Sequence, residues 1–323
     1  MQQAPDIVTV TLNPAIDETI FLDTLQVGGV NRAKCLHRQA GGKGINVSRM
    51  LHHFGIPSTA TGFLGKANGE IYKKFFKGKQ IEDAFVWIPG ETRPGIKIVN
   101  ESNRQTTDLN FPGLKPSIEE LDEFGKRLRS MIKPGRWFAL SGSLPQGVSI
   151  DFFEKWLLML KRGGAYVAVD TSGEALKAAI RCKVDLIKPN EHELAEILGH
   201  PLPDFASKVK AAVQLQHEKG GHVILSLGSE GALFITPQNN LMASAPPVKV
   251  VSTVGAGDAL LSGYLAGLLT NRPATDGARL ATVFAWCNLE RVDRKLPSQV
   301  KIIERMTRIN IQPLSKMKSS TRS

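Results

Sequence analysis

Cysteine is scarce: Cys35, Cys182 and Cys287 are the only three in 323 residues, and no two share a C-x-x-C spacing. That excludes a disulfide framework and a cysteine-ligated zinc site, and it points to a reducing compartment. No apolar run approaches the ~20 residues of a membrane helix, and Met1 to Asp6 carries no basic segment leading into an apolar one, as a secretory signal would. A cytoplasmic protein with no membrane partner is expected. Several common chemical signatures are missing as well. There is no G-x-x-x-x-G-K-[ST] loop, and Gly255-Ala256-Gly257 is not completed to G-x-G-x-x-G because position 260 is leucine. The seven histidines show no H-E-x-x-H spacing, and Ser141 and Ser143 lack the nucleophile elbow of serine hydrolases.

Acidic residues are also in deficit, 30 against 41 lysines and arginines, for a net charge of +11. The distribution decides what this means. Residues 291–323 hold nine Lys/Arg against two Asp/Glu, which leaves only about +4 on the preceding 290 residues. The basic tail, residues 315–323, has no aromatic side chains to stack on bases, so it reads as a solvated terminus and no nucleic-acid partner is expected. Anionic metabolites remain the expected partners of the rest of the chain.

What is present is an ordinary globular composition, 42% hydrophobic and 22% charged, enough for a large core. Residues 7–12 (IVTVTL) are continuous and β-branched, as in a strand buried on both faces. Strands at 58–64, 137–140, 165–169, 184–187 and 222–227 alternate with helical segments at 43–54, 68–79, 116–132, 150–161, 173–180 and 204–219, which predicts a mostly parallel sheet between helices. Short strands at 85–88, 95–99 and 106–111 break the alternation. With residues 16–25 and the stretch after Asn31 they are expected to form a small antiparallel appendage, a lid borne on segments 16–37 and 85–111. Helices at 273–287 and 298–307 close the chain, and no linker or repeat divides it, so a single domain is expected.

Residues 251–267 (VSTVGAGDALLSGYLAG) organise the rest. Two glycines, Gly255 and Gly257, bracket Ala256 ahead of a small, apolar helix. Unpaired N–H groups and the positive end of the helix dipole converge there, which makes an anion site. Asp258 stands in the first turn, where the dipole favours its ionised form. It reads as a base beside a phosphate, or alternatively as a simple helix cap. Residues 41–55 (GGKGINVSRMLHHFG) make a second glycine-rich turn into a helix, with Lys43 and Asn46 placed to touch a polar ligand.

The two segments GGKGINVSRMLHHFG and VSTVGAGDALLSGYLAG resemble the signatures of the PfkB (ribokinase-like) sugar kinases. TLNPAID (11–17), SGSLP (141–145), DTSGEAL (170–176), KPNEHEL (188–194) and SLGSEGAL (226–233) match in order between them. TLNPAID, VGGVNRAK and STVGAGD resemble the 1-phosphofructokinase branch, and a closing helix at 300–314 with INIQPL resembles the tail of enterobacterial-type members. The resemblance implies a three-layer α/β/α sandwich with a β lid, and ATP-dependent phosphorylation of fructose 1-phosphate to the 1,6-bisphosphate. A 6-phosphofructokinase or tagatose-6-phosphate kinase is the alternative within the family, and a non-catalytic sugar-phosphate sensor or nucleic-acid-binding protein the remote one. It further implies Asp258 as base and Gly255, Ala256 and Gly257 as the anion hole. Asp17 would grip sugar hydroxyls, with Gly41, Gly42, Lys43 and Asn46 around the sugar and Asn110 and Ser143 as further contacts. Arg32 and Arg93, assisted by Lys43, are the expected partners of the sugar's own phosphate. Lys188, Asn190 and Glu193 would serve the nucleotide phosphates and Mg2+, with Glu193 at the metal. Ser226, Gly228 and Gly231 would line the ATP site and Asn288 the adenine. Trp286, Leu289 and Arg291 depart from the small-residue run of relatives and are expected to narrow or reshape the adenine pocket. A homodimer paired through the lid is implied too.

Overall fold

The computed structural model describes residues 6–103 and 105–317, so most of the basic tail, residues 318–323, lies outside the described residues. The chain opens with β1 (Ile7–Thr11), all five residues buried. It leaves the main sheet for β2 (Ala15–Leu22) and β3 (Cys35–Gly41), enters α1 (Lys43–His53) and returns as β4 (Ser58–Gly65), parallel to β1. After α2 (Glu70–Phe76), the short strands β5 (Ile81–Asp83) and β6 (Val86–Ile88) both pair with β4, and β7 (Pro94–Asn100) and β8 (Gln105–Asn110) go back to β2. The unit of strand then helix runs next through α3 (Ile118–Ser130), β9 (Trp137–Ser141), α4 (Ile150–Arg162), β10 (Tyr166–Asp170) and α5 (Gly173–Arg181). It continues through β11 (Leu186–Ile187), α6 (Glu191–Leu198), α7 (Phe205–Lys219) and β12 (His222–Ser226). The hairpin of β13 (Ala232–Ile235) and β14 (Asn240–Ser244) precedes α8 (Ala256–Leu269), α9 (Ala274–Leu289) and α10 (Gln299–Met306). A last strand, β15 (Asn310–Pro313), and one turn, α11 (Leu314–Met317), end the described chain.

The main sheet runs in the order β15-β14-β13-β12-β11-β10-β9-β1-β4-β5, with β6 also on β4. It is parallel from β12 to β4 and antiparallel only at the β13–β15 end. Alternation along the central strands builds two cores. Val8, Val10, Phe138, Leu140, Val167 and Val169 face α3, α4, α5 and α7, through Phe124, Trp156, Leu176 and Leu215 among others. Ile7, Ala139, Ala168 and Leu186 face α1, α8, α9 and α10. Small residues on that second face let an almost uniformly apolar α8 lie close to the sheet, which is why residues 258–267 are all buried. The result is the expected three-layer α/β/α sandwich. Among the described residues no helix is long and apolar enough to cross a membrane.

Three expectations change. Residues 85–88, assigned to the lid, are instead main-sheet strand β6, because Phe85, Val86 and Ile88 carry a fully buried apolar set that an open lid cannot cover. The separate four-stranded sheet, ordered β3-β2-β7-β8, starts at Ala15, extends to Gly41, and is not wholly antiparallel: β2 and β7 run parallel over seven register pairs. A long excursion through β4–β6 lies between them, so β7 enters from the same end as β2. Finally, INIQPL is not helix. Asn310–Pro313 forms the edge strand β15 on β14, where proline's missing N–H can face outward.

Candidate active site

The C-terminal ends of β1, β9, β10, β11 and β12 and the inner side of the lid enclose a cavity of about 730 Å3. In open α/β sheets that edge is where ligands bind. α8 points its N-terminus into this space. Gly255, at φ +78°, is the cap of α8, and only glycine takes that left-handed turn without strain while offering no side chain to the cavity. Gly255 and Gly257 line the cavity; Ala256 does not, since its N–H turns back to donate to the Thr253 carbonyl at 3.2 Å.

Asp258 is 5% exposed and accepts a 2.8 Å hydrogen bond at Oδ2 from Asn46 Nδ2. Burial pushes its carboxyl above the usual range, Lys43 opposes that, Asp170 adds to it, and Asn46 and Arg294 oppose it. Burial is the largest influence on this group, and a carboxyl raised in this way is a stronger base. Asp170, completely buried, would be raised by burial alone, but Lys188 and Lys43 hold it below the usual range through contacts of 3.3 and 3.2 Å to Oδ1. Lys43 is raised in turn, chiefly by Asp170. Two cationic lysines thus flank the turn at Gly255–Asp258.

On the lid side, Asp17 sits between Arg294 Nη1 at 2.8 Å and Lys97 Nζ at 3.8 Å. Gly41 lies directly against it: a Cβ there would be 2.5 Å from Asp17 Cγ. Arg93 is fixed by Asn13 Oδ1 at 3.1 Å and the Phe111 carbonyl at 3.3 Å, with Asn110 Oδ1 at 3.4 Å. Asn13 also donates to Ser143 Oγ at 3.0 Å. Gly42, Lys43, Asn46, Arg93, Asn110 and Ser143 all line the cavity. Arg32 does not. It is exposed in the loop joining β2 to β3, and the cations at this end of the cavity are Arg93 and Lys97.

At the other end stand Lys188, Asn190, Glu193 and Ser226. Asn190 caps α6, and its side chain and that of Glu193 exchange hydrogen bonds with each other's backbone N–H at 2.9 and 2.8 Å, so the KPNEHEL segment is a capping box facing the cavity. Gly228 and Gly231 lie off the cavity and turn β12 into β13. Asn288 is not on the cavity either. It is 1% exposed and donates to the Val254 carbonyl at 2.8 Å, bracing the turn before Gly255. Trp286, Leu289 and Arg291 do not line this cavity. Trp286 hydrogen-bonds Glu290 and is covered by Arg305, while Arg291 pairs with Asp293.

Cavity residues given no role from the sequence include Asn13, Lys97, Thr171 and Arg294. Asn13 and Thr171 fall within the family-like segments TLNPAID and DTSGEAL, which is where a signal existed. Lys97 and Arg294 belong to no motif. Ser141 Oγ, Asp170 Oδ2 and Thr171 Oγ1 are buried with no hydrogen-bond partner in the protein, which marks this strand edge as one built to meet polar ligand atoms.

The model of the pfkB family carbohydrate kinases matches residues 10–299. A 1-phosphofructokinase of Xanthomonas campestris pv. campestris is 40% identical over 293 residues, covering 89% of this chain and 92% of the relative. That of Escherichia coli K12 is 35% identical over 309 residues, 96% and 99% of the two chains. Among solved structures, phosphofructokinase-2 from Escherichia coli in complex with substrates and products superposes with a TM-score of 0.88 at 28% identity, over 93% of this chain and 98% of that one. Its tetrameric inhibited form gives 0.85 at 27%, over 94% and 99%. The chain belongs to the pfkB family of carbohydrate kinases.

Proposed function

We propose that this kinase transfers the γ-phosphoryl group of ATP to the 6-hydroxyl of fructose 1-phosphate, giving fructose 1,6-bisphosphate and ADP. The observation that carries the reading is a buried, raised carboxylate, Asp258, at the head of α8 beside a glycine turn, with cations on both sides. Phosphoryl transfer asks the protein mainly for positioning and charge stabilisation. Asp258 accepts the O6 proton as O6 bonds to the γ-phosphorus and the bond to the β-phosphate oxygen breaks. Charge growing on the transferred group is met by the backbone N–H groups of Gly255 and Gly257 and the α8 dipole. Lys43 and Lys188 add positive charge there. Asp17 accepts from the sugar hydroxyls, with Asn46 and the Gly41-Gly42 backbone alongside. Arg93 and Lys97, with Lys43 assisting, take the 1-phosphate, for which a guanidinium held in place by Asn13, Asn110 and the Phe111 carbonyl supplies a fixed cationic donor. Lys188, Asn190 and Ser226 line the nucleotide end.

Among the described residues no three His, Cys, Asp or Glu side chains stand together, so the chain offers no cage made of protein alone. Glu193, facing the cavity, suits a magnesium ion that arrives on ATP and keeps most of its other ligands as water and phosphate. Bound there, the ion would neutralise the phosphate oxygens during transfer. We further propose a cytoplasmic homodimer formed through the lid.

A coupled assay offering fructose 1-phosphate, fructose 6-phosphate and tagatose 6-phosphate in parallel tests the substrate. Fructose 1-phosphate is expected to give the highest kcat/KM. A large margin for fructose 6-phosphate would replace the reading with that of a 6-phosphofructokinase.

A further inference from the structure

Arg294 lies in none of the short motifs quoted from the sequence, yet it is the most deeply placed arginine of the site. Its residue is 2% exposed and its φ is +53°, a left-handed conformation that a long side chain adopts only where its surroundings dictate it. The loop at 290–298 supplies that constraint: Asp293 accepts from Arg291 Nε at 2.9 Å and from the Lys295 N–H at 3.1 Å, and the turn so formed projects residue 294 inward. There Nη1 meets Asp17 Oδ2 at 2.8 Å and Asn46 Oδ1 at 2.9 Å, while the other end of Asn46 donates to Asp258 Oδ2 at 2.8 Å.

We propose that Arg294 is a positioning residue that fixes the direction of the Asn46–Asp258 hydrogen bond and clamps Asp17, holding the sugar-gripping and proton-accepting carboxylates in one register. The inference rests on the reading of Asp258 as the base. Its physical content is a matter of polarity. An asparagine amide has one donor end and one acceptor end, and a guanidinium is donor only. Arg294 therefore accepts no partner but Oδ1, which leaves Nδ2 facing the base. Without Arg294 the amide is free to turn, and its carbonyl then opposes the Asp258 carboxylate. Asp17 simultaneously loses the partner on its Oδ2 side and keeps only the longer contact to Lys97.

The charged groups facing Asp258 are Lys43 from α1, Asp170 from the end of β10, and Arg294 itself, with Lys188 beside the adjoining Gly257. Arg49 of α1 lies near both Arg294 and Asp17. Removing Arg294 takes away a cation and, through Asn46, a donor, both of which hold the Asp258 carboxyl down. The base then needs a higher pH to be ionised.

The experiment compares wild type with Arg294→Met, Arg294→Lys, Asn46→Ala and the Arg294→Met/Asn46→Ala pair, measuring kcat and both KM values across pH with unfolding temperature alongside. In Arg294→Met the acid limb of kcat is expected to move to higher pH and the KM for sugar phosphate to rise about tenfold or more, with the KM for ATP unchanged. Arg294→Lys should recover sugar affinity, because it restores a cation at Asp17. In the Asn46→Ala background, adding Arg294→Met should move the acid limb much less than in wild type, since the hydrogen bond it orients is already gone. An acid limb and sugar KM at wild-type values in Arg294→Met overturn the proposal, as does a uniform fall of kcat at every pH with a lowered unfolding temperature. A wild type that phosphorylates none of the three sugar phosphates defeats the underlying assignment instead, which keeps the two failures apart.

Discussion

At the scale of single residues, motifs made most of the cavity legible, though Arg93 and Asn110 line it from outside any motif and Gly228 and Gly231 lie off it from within one. Lys43, Asn46 and Asp258 stand at the predicted edge because short glycine-containing segments fix where they sit and which way the backbone faces, and Asp17 and Lys188 because they follow closely on the ends of β1 and β11. Lys97 and Arg294 carry no such local marker: one is a mid-strand lysine, the other a loop arginine brought 248 positions along the chain to Asn46. Arg32 was misplaced for the converse reason, since its charge is visible in the sequence but the direction of the lid loop is not. The raised carboxyl of Asp258 was invisible as well, because burial is a tertiary property. It has a consequence for stability. A carboxyl whose folded value lies above its unfolded one favours the folded state below the unfolded value, and that contribution is lost as pH rises through the folded value. At neutral pH ionised Asp258 is thus held against its preference. Asp258→Asn is expected to lower kcat by on the order of 10² or more while unfolding at the same or a higher temperature at pH 7, an advantage that shrinks in acid as Asp258 itself becomes neutral. Steady-state assays and thermal unfolding at two pH values check both halves, and near-normal turnover would remove Asp258 from its role.

At the scale of elements, the strand and helix order was legible because periodicity switches cleanly between the two, whereas pairing was not. Nothing local in residues 85–88 says that they lie on β4 rather than in the lid, and INIQPL alternates too briefly to declare itself a strand before β14 is there to receive it. The pairing of α8 with α9 shows what the pattern does encode. A Cβ at Gly263 would lie 2.6 Å from Ala281 Cα, and one at Gly267 would lie 2.8 Å from Gly277 Cα, so the small residues set the distance between the two helix backbones. Since α8 also carries Gly255 and Asp258, this spacing positions the anion hole. Gly263→Val should force the helices apart, costing about 1–3 kcal/mol as overpacking does, and should lower kcat more than it changes either KM. Urea unfolding with parallel kinetics tests it; unaltered stability would mean that the crossing absorbs a side chain and does not fix the site.

For the whole molecule, the lid is the part that carries the longest open sheet edges. Its outer strands β3 and β8 are sheet edges, β8 exposed throughout and β3 over its first four residues, and Val27, Val30, Leu36 and Leu109 place apolar surface around them. Long open edges with apolar side chains are templates for pairing, and proteins that keep them commonly cover them. The excess of positive charge does not protect them, for more than half of it belongs to the last 33 residues. The main sheet needs no such help: its β15 edge is short and ends in Pro313, and β5 at the other edge is three residues long. Self-association is therefore expected through the lid. Light scattering at micromolar concentration should give at least twice the 35.2 kDa of one chain. Leu36→Lys with Leu109→Lys, which puts charge on both edges and leaves the cavity lining untouched, should return the mass to that of a single chain without lowering the unfolding temperature of the main domain. A wild-type mass of one chain defeats the dimer, and a doubly substituted chain that stays associated assigns the contact to another face.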